Sequence, residues 1–270
     1  MNYSKKWKLK GPKIVVEPPG PKSKKILARK EKCVTDGIRI GLPTALDVAE
    51  GPFMRDVDGN VFLDFTAGIG VHNCGHRPEA MVKACKDQLD KFIHICVMVS
   101  PYESYIKLAE EMAKICPGKL EKSIFLNSGS EAIENALKIA RSYTKKKWIV
   151  SYRTSFHGRT FMDISLTGKE KPYRDGFHPL VPYVQHVDFA YCYRCPLGLS
   201  HPSCNLACAD TIRTVIETAP LAGDVGAFVI EPVEGELGLS VERLVRSDPR
   251  PGEGRRLQHL TLVVAVPSDL

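Results

Sequence analysis

Three short segments of this sequence combine residue types at spacings that could do chemistry. The first is Ile124-Phe125-Leu126-Asn127-Ser128-Gly129-Ser130-Glu131-Ala132-Ile133-Glu134. An apolar run gives way to a small-residue turn and then to helix formers, and Ser128 with Glu131 has capping-box spacing. A helix N-terminus turns free backbone N–H groups and positive dipole outward, so Gly129 and the hydroxyls of Ser128 and Ser130 offer a phosphate site. The same pattern also describes an ordinary capped helix. The second segment is Ser155-Phe156-His157-Gly158-Arg159-Thr160. Phe156 presents a flat face for stacking, Gly158 permits close approach, and Arg159 can hold a carboxylate through two parallel N–H donors. His157 by itself fits a packed, hydrogen-bonded histidine as well as a catalyst. The third segment, Glu231-Pro232-Val233-Glu234-Gly235-Glu236, puts carboxylates directly after an apolar run. That suits an active-site wall or a solvated strand end.

A fourth cluster consists of Cys192-Tyr193-Arg194-Cys195 and Cys204-Asn205-Leu206-Ala207-Cys208. Four thiolates in this C-x2-C and C-x3-C arrangement could hold zinc tetrahedrally or an iron–sulfur cluster. Two disulfides, or burial as small apolar residues, are the alternatives. The cluster lies in an insertion away from the other motifs, so a metal there would be structural.

These segments need a frame, and hydrophobic periodicity supplies one. It predicts strands at 123–127, 148–151, 181–187 and 225–231, with helices at 102–115, 128–143 and 208–218. Strands alternating with helices imply an α/β fold with a largely parallel, doubly wound sheet, whose ligands gather at the C-terminal strand ends. Upstream, residues 51–65 read as a hairpin turning at Asp58-Gly59. Pro78 is expected to start a helix with Met81, Val82, Cys85 and Leu89 on one face.

With 43% hydrophobic and 26% charged residues in 270, the chain falls in the globular range, which excludes collagen-like, coiled-coil and disordered classes. No apolar run approaches the roughly 20 residues of a membrane helix, and the N-terminus has no signal-peptide core. Nine cysteines in such a chain fit a cytoplasmic protein with free thiols or metal ligands. The net charge of +7 is local, because residues 1–32 carry eleven Lys or Arg against Glu17 and Glu31. Broken by Pro18, Pro19 and Pro21, residues 1–36 read as a basic, solvated, extended arm, and neither nucleic acid nor membrane is expected as a partner.

Taken in order, the first three segments resemble the class III aminotransferases of fold type I, which use pyridoxal 5'-phosphate. Phe62-Leu63-Asp64-Phe65-Thr66-Ala67-Gly68-Ile69-Gly70-Val71 and Asn73-Cys74-Gly75-His76 add to the likeness, which covers roughly residues 36–238. Within the class, the motifs are most like those of 4-aminobutyrate aminotransferases. The resemblance implies that Gly129 and Ser130 bind the cofactor phosphate, that Phe156 stacks on its ring, and that His157 and Gly158 shape the wall. It implies substrate contacts from Ile69, Arg159, Glu231 and Glu236. It divides the chain into the arm (1–36), an N-terminal small-domain segment and linker (37–100), an incomplete large cofactor domain (101–238) and an aberrant tail (239–270).

The implied reaction of the full-length form moves an amino group from an ω-amino acid such as 4-aminobutyrate to 2-oxoglutarate, in a homodimer. An amino-acid racemase or epimerase of the same fold is one alternative. A non-catalytic, metal-stapled binding module is another. In this family an aspartate pairs with the pyridine nitrogen and a later lysine holds the cofactor covalently. Here no matching aspartate segment follows Glu236, and the last lysine is Lys171. The tail reads as frame-shifted or prematurely ended, and the chain is expected to be unable to transaminate.

Overall fold

Buried polar side chains, more than apolar packing, organise the first part of the chain. The computed structural model describes residues 8–116, 120–218 and 220–231, with backbone strands at 233–234, 240–241 and 263–265. It divides into two units, Met1–Glu103 and Ser104–Leu270.

In the first unit, helix α1 (Pro21–Cys33) begins with Pro at its first turn after Gly20, which has no side chain to cap it. Asp58 substitutes from a distant turn: its carboxylate accepts the N–H groups of Lys22 and Ser23, both at 2.8 Å. Strands β1 (Leu46–Glu50), β2 (Phe53–Asp56) and β3 (Val61–Leu63) form an antiparallel meander. The predicted hairpin is present, with Met54 opposite Phe62 and Gly59 at φ +99° in the turn.

Beneath the hairpin Asp56, 1% exposed, accepts from Thr44 Oγ1 (2.8 Å), Asn60 Nδ2 (2.8 Å) and the N–H groups of Asp58 and Asn60. Those donors hold the Asp56 carboxyl below the usual range against the opposing effect of burial. Asn60 Oδ1 in turn accepts from Val15 N and Val16 N at 2.8 and 3.0 Å. The expectation of a solvated, extended arm over 1–36 is therefore corrected. Residues 21–33 are helical and 13–16 are pinned to the hairpin, because Asp58 caps the helix while Asn60 and Val61 satisfy the backbone before it.

Two further elements complete this unit, a tight turn α2 (Ala67–Gly70) and helix α3 (Glu79–Leu89). Pro78 is the N-cap of α3 rather than its first residue. Its expected apolar face is unpacked, with Met81 52% and Leu89 62% exposed.

The second unit holds α4 (Glu103–Ile115, starting at the boundary), α5 (Gly129–Thr144), β4 (Trp148–Tyr152), α6 (Phe161–Leu166), β5 (Val184–Val187), α7 (Ala207–Glu217) and β6 (Val225–Ile230). Short strands β7 (Val233–Glu234), β8 (Ser240–Val241) and β9 (Val263–Ala265) follow. The sheet order is β5-β4-β6-β9, parallel except for β9, which runs antiparallel to β6. Alternation along β4 feeds two cores. Ile149 packs with Ile133, Leu137 and Ala140 of α5 and with Met162 and Leu166 of α6, whereas Val150 packs with Ile212 of α7. Helices on both faces make the sheet doubly wound, as the alternation of elements requires.

Trp148 pairs with Val225 and Ile149 with Ala227, so Gly226 is an unpaired bulge residue. The bulge sends Val225 to the α7 side while Ala227 and Val229 face α5. The strand expected at 123–127 is not formed. Its backbone pairs with no described strand, and the Phe125 N–H turns to the Tyr105 hydroxyl at 3.3 Å instead.

Asn60→Ala removes one donor to Asp56 and leaves two backbone N–H groups without an acceptor. With roughly 1–3 kcal/mol lost for a buried group so stranded and less for the part-buried amides of Val15 and Val16, the variant should unfold about 2–4 kcal/mol more easily in a denaturant titration. A loss below about 0.5 kcal/mol would contradict the role given to this network.

Candidate functional site

The first turn of α5 is built by its own side chains. Ser128, extended at φ −152°, accepts the Glu131 N–H on its hydroxyl at 3.1 Å. Glu131 Oε2 reaches back to accept the Asn127 N–H at 2.6 Å, one residue upstream of the usual capping-box partner. Helix geometry leaves the N–H groups of Gly129 and Ser130 without intrahelical acceptors. Nothing beyond its chain neighbours and its own helix backbone stands within 4 Å of where a Cβ on Gly129 would be, and Gly129 is exposed.

Against this turn lies the loop leaving β4. Its base is a buried hydroxyl cluster in which Ser151 Oγ donates to Leu166 O at 2.8 Å and Ser155 Oγ to Tyr152 O at 2.7 Å. His157 Nε2 stands 3.2 Å from Ser151 Oγ, whose proton is already committed, so this nitrogen carries the hydrogen and Nδ1 is the bare one. The Phe156 N–H donates to Glu231 Oε1 at 2.6 Å and the His157 N–H to Thr167 Oγ1 at 3.1 Å. Gly158, at φ +133°, closes the loop where a Cβ would overlap the carboxylate of Asp163 and the hydroxyl of Ser130. The loop and the α5 N-terminus therefore form one continuous surface.

Of the residues singled out in the sequence, Gly129, Ser130, Phe156, His157, Gly158 and Arg159 are thus together. The Phe156 ring is half-buried and backed by Tyr173, centroids 4.9 Å apart. Arg159 is exposed. Glu231 is 8% exposed and spends one oxygen on the loop backbone, which makes it a brace for residue 156. Glu236 lies outside the described residues.

Ile69 belongs to the first unit, where Ala67, Gly68, Ile69 and Gly70 all have positive φ. A β-branched residue in that region is strained, and its side chain is 96% exposed. Asp64 holds this turn by accepting from Thr66 N (2.9 Å), Thr66 Oγ1 (2.7 Å) and Ala67 N (2.9 Å). The Thr66 hydroxyl, aided by His76 and the turn amides, lowers the Asp64 carboxyl to about 2.

Cys192, Cys195, Cys204 and Cys208 line one small cavity with His201. Yet all four are free thiols, and among the described residues no three His, Cys, Asp or Glu side chains are placed to share a metal ion. The expectation of a zinc or iron–sulfur centre there is corrected to a thiol-lined, largely apolar cavity, since the sulfurs border the same space without being placed to share one ion.

Two buried groups have shifted protonation. Burial, with a smaller effect from His186, lowers His157 to about 4. Burial raises Asp163 against the opposing hydroxyls of Ser130 and Thr160. Asp163 was not among the sequence candidates, although an acid inside Phe161-Met162-Asp163-Ile164-Ser165-Leu166 is a legible anomaly.

The Aminotransferase class-III family model matches residues 40–244. Over 232 residues the chain is 40% identical to 4-aminobutyrate aminotransferase of Mycobacterium tuberculosis, covering 85% of this chain and 51% of that protein. It is 31% identical over 236 residues to the alanine/serine racemase of Pyrococcus horikoshii, covering 85% and 50%. Among solved structures, a thermostable (S)-enantioselective omega-transaminase from Thermomicrobium roseum superposes with a TM-score of 0.73 at 27% identity, covering 81% of this chain and 51% of that one. The chain spans about half the length of the curated relatives it matches.

The depressed His157 makes an acid-stability prediction. The unfolded chain takes up a proton near 6.5 and the native site only near 4, so native stability falls as pH drops through that window, by up to roughly 3 kcal/mol. Denaturant titrations from pH 7 to 4 should show this limb in the native sequence and a flatter one in His157→Asn. An equal slope in both would contradict it.

Proposed function

This chain belongs to the class III aminotransferases, and we propose that it forms the phosphate-binding half of a pyridoxal-phosphate site in an ω-amino-acid aminotransferase. One observation carries the reading: the first turn of α5 at Gly129 and Ser130 and the Phe156–Arg159 loop meet where Gly158 packs against the Ser130 hydroxyl. The residues present fit the group. Two uncommitted helix-start amides and a hydroxyl suit a phosphate dianion, and a half-buried aromatic ring next to them suits a flat heteroaromatic ring. When bound, pyridoxal phosphate supplies an electron sink for breaking bonds at the substrate's amino-bearing carbon.

In this reading, Gly129 and Ser130 bind the phosphate, and Phe156, braced by Glu231 and Tyr173, sets the height of the ring. His157 stays neutral near pH 7 and fills the loop's interior, so it shapes the wall without exchanging protons with substrate. Arg159 is exposed and available to a substrate carboxylate. The donor class, an ω-amino acid such as 4-aminobutyrate with 2-oxoglutarate as acceptor, rests on the relatives' names together with Arg159.

A homodimer is part of the proposal. Phe65, Ile69, Ile93, Met98 and Val99 are each more than 80% exposed, more apolar surface in one stretch than a monomer comfortably leaves in water. No helix among the described residues is long and apolar enough to cross a membrane. The racemase similarity favours a second reading, amino-acid racemisation on the same cofactor. Loss of optical activity without added keto acid would select it.

The 270-residue chain should bind pyridoxal 5'-phosphate more tightly than pyridoxal. Ser130→Ala should weaken only the phosphate ester, by about 5–20-fold for one charge-assisted hydrogen bond. With no lysine beyond Lys171, the chain should neither turn over 4-aminobutyrate with 2-oxoglutarate nor be fixed by borohydride at one lysine. A stoichiometric adduct with turnover would overturn that.

A further inference from the structure

Asp163 is a buried acid in the first turn of α6, faced by the Thr160 N–H and hydroxyl and by the Ser130 hydroxyl. It is 0% exposed on a helix buried from Met162 to Leu166, and neither carboxyl oxygen has a partner in full hydrogen-bond geometry. Its nearest oxygen meets the Ser130 hydroxyl across the space that a Cβ on Gly158 would fill. The other neighbouring hydroxyl is spent, because Thr160 Oγ1 donates to Glu134 Oε1 at 2.8 Å. An acid so placed is costly unless it serves a neighbour.

We propose that Asp163 is a positioning residue for the Ser130 hydroxyl: as the neutral acid it donates to Ser130 Oγ, which frees the serine's own proton for a phosphate ester in front of α5. As the carboxylate it takes that serine proton instead, turns oxygen lone pairs toward the anion and adds a like charge behind it. The two protonation states thus set opposite directions for one hydroxyl. The inference rests on the reading of Gly129 and Ser130 as the phosphate end.

The surroundings favour the neutral form. Burial and the facing carboxylate of Glu134 on α5 raise Asp163, and only the Ser130 and Thr160 groups oppose them. Lys138 and Arg141 of α5 also border α6, beside Phe161 and Met162. His186 on β5 acts on His157, and Arg174, which follows α6 in a π-turn, acts on His186. Phosphate-ester binding should therefore weaken as pH rises through the Asp163 midpoint, and by reciprocity binding should draw a proton onto Asp163.

The test compares pyridoxal 5'-phosphate and pyridoxal binding to the 270-residue chain, its Asp163→Asn variant and its Ser130→Ala variant, between pH 5 and 8. The asparagine amide donates to Ser130 Oγ at every pH. Taking the ratio of wild-type to Asp163→Asn affinity at each pH cancels the titration of the ligand's own phosphate. The ratio should fall, by about 5–10-fold in all, as Asp163 ionises with rising pH for the phosphate ester, and should stay flat for pyridoxal. A flat ratio for both ligands, with the phosphate preference intact, would overturn the role of Asp163 alone. Equal affinity for the two ligands, unchanged by Ser130→Ala, would overturn the phosphate reading and this inference together. If Asp163→Asn does not fold, calorimetry of the wild type in two buffers of different ionisation heat decides. Proton uptake on binding pyridoxal 5'-phosphate that Ser130→Ala lacks supports the inference, and equal uptake in both overturns it.

Discussion

At Gly158 the backbone passes so close to Ser130 and Asp163 that no side chain fits between them. That approach ties the end of β4 to the first turn of α5, and every feature of the candidate site follows from it. The loop reaches that position because Ser151 and Ser155 satisfy its buried polar groups from below and Glu231 holds residue 156 from β6. Three elements distant in sequence thus converge on one surface at the C-terminal ends of parallel strands. Helices on both faces of the sheet keep the strand ends in register beneath it, and in open α/β sheets that is where ligands bind.

The site is polar beneath the surface as well as on it. His157 is neutral because burial makes its charged form costly, and Asp163 is pushed the same way for the same reason. Burial thus disfavours charge on both groups behind the first turn of α5, whose dipole points its positive end outward. The first unit shows the contrasting use of a buried carboxylate. Asp56 has four donors around it and is held ionised, which turns it into a rivet for the hairpin and, through Asn60, for the preceding segment.

Much of this was legible in the residues. Ser128 and Glu131 announced the start of α5, the apolar runs announced β4, β5 and β6, and Asp58-Gly59 announced the hairpin, because each signal is local and acts within a few residues. What escaped depends on distant partners. Residues 21–33 became helical once Asp58 supplied a cap from thirty-odd positions away, and 123–127 stayed unpaired because a strand exists only beside another strand. Glu231 was legible as a carboxylate at a strand end, but only the fold shows that one of its oxygens accepts the Phe156 amide. The cysteine spacing suggested a metal, yet lining one cavity does not by itself set sulfurs at coordinating positions. Asp163 was readable as an acid among apolar neighbours, but only the fold could show that Ser130 is what it meets.

The central claim is that the α5 N-terminus and the 156–159 loop receive one ligand between them. Titrating pyridoxal 5'-phosphate into the isotope-labelled chain and following backbone amide resonances tests it directly. The account predicts concerted shifts of Gly129, Ser130 and the amides of residues 156–159 with a single dissociation constant, while the cysteine turns at 192–208 stay unmoved. Shifts confined to one of the two segments, or centred on the cysteine turns, would contradict it.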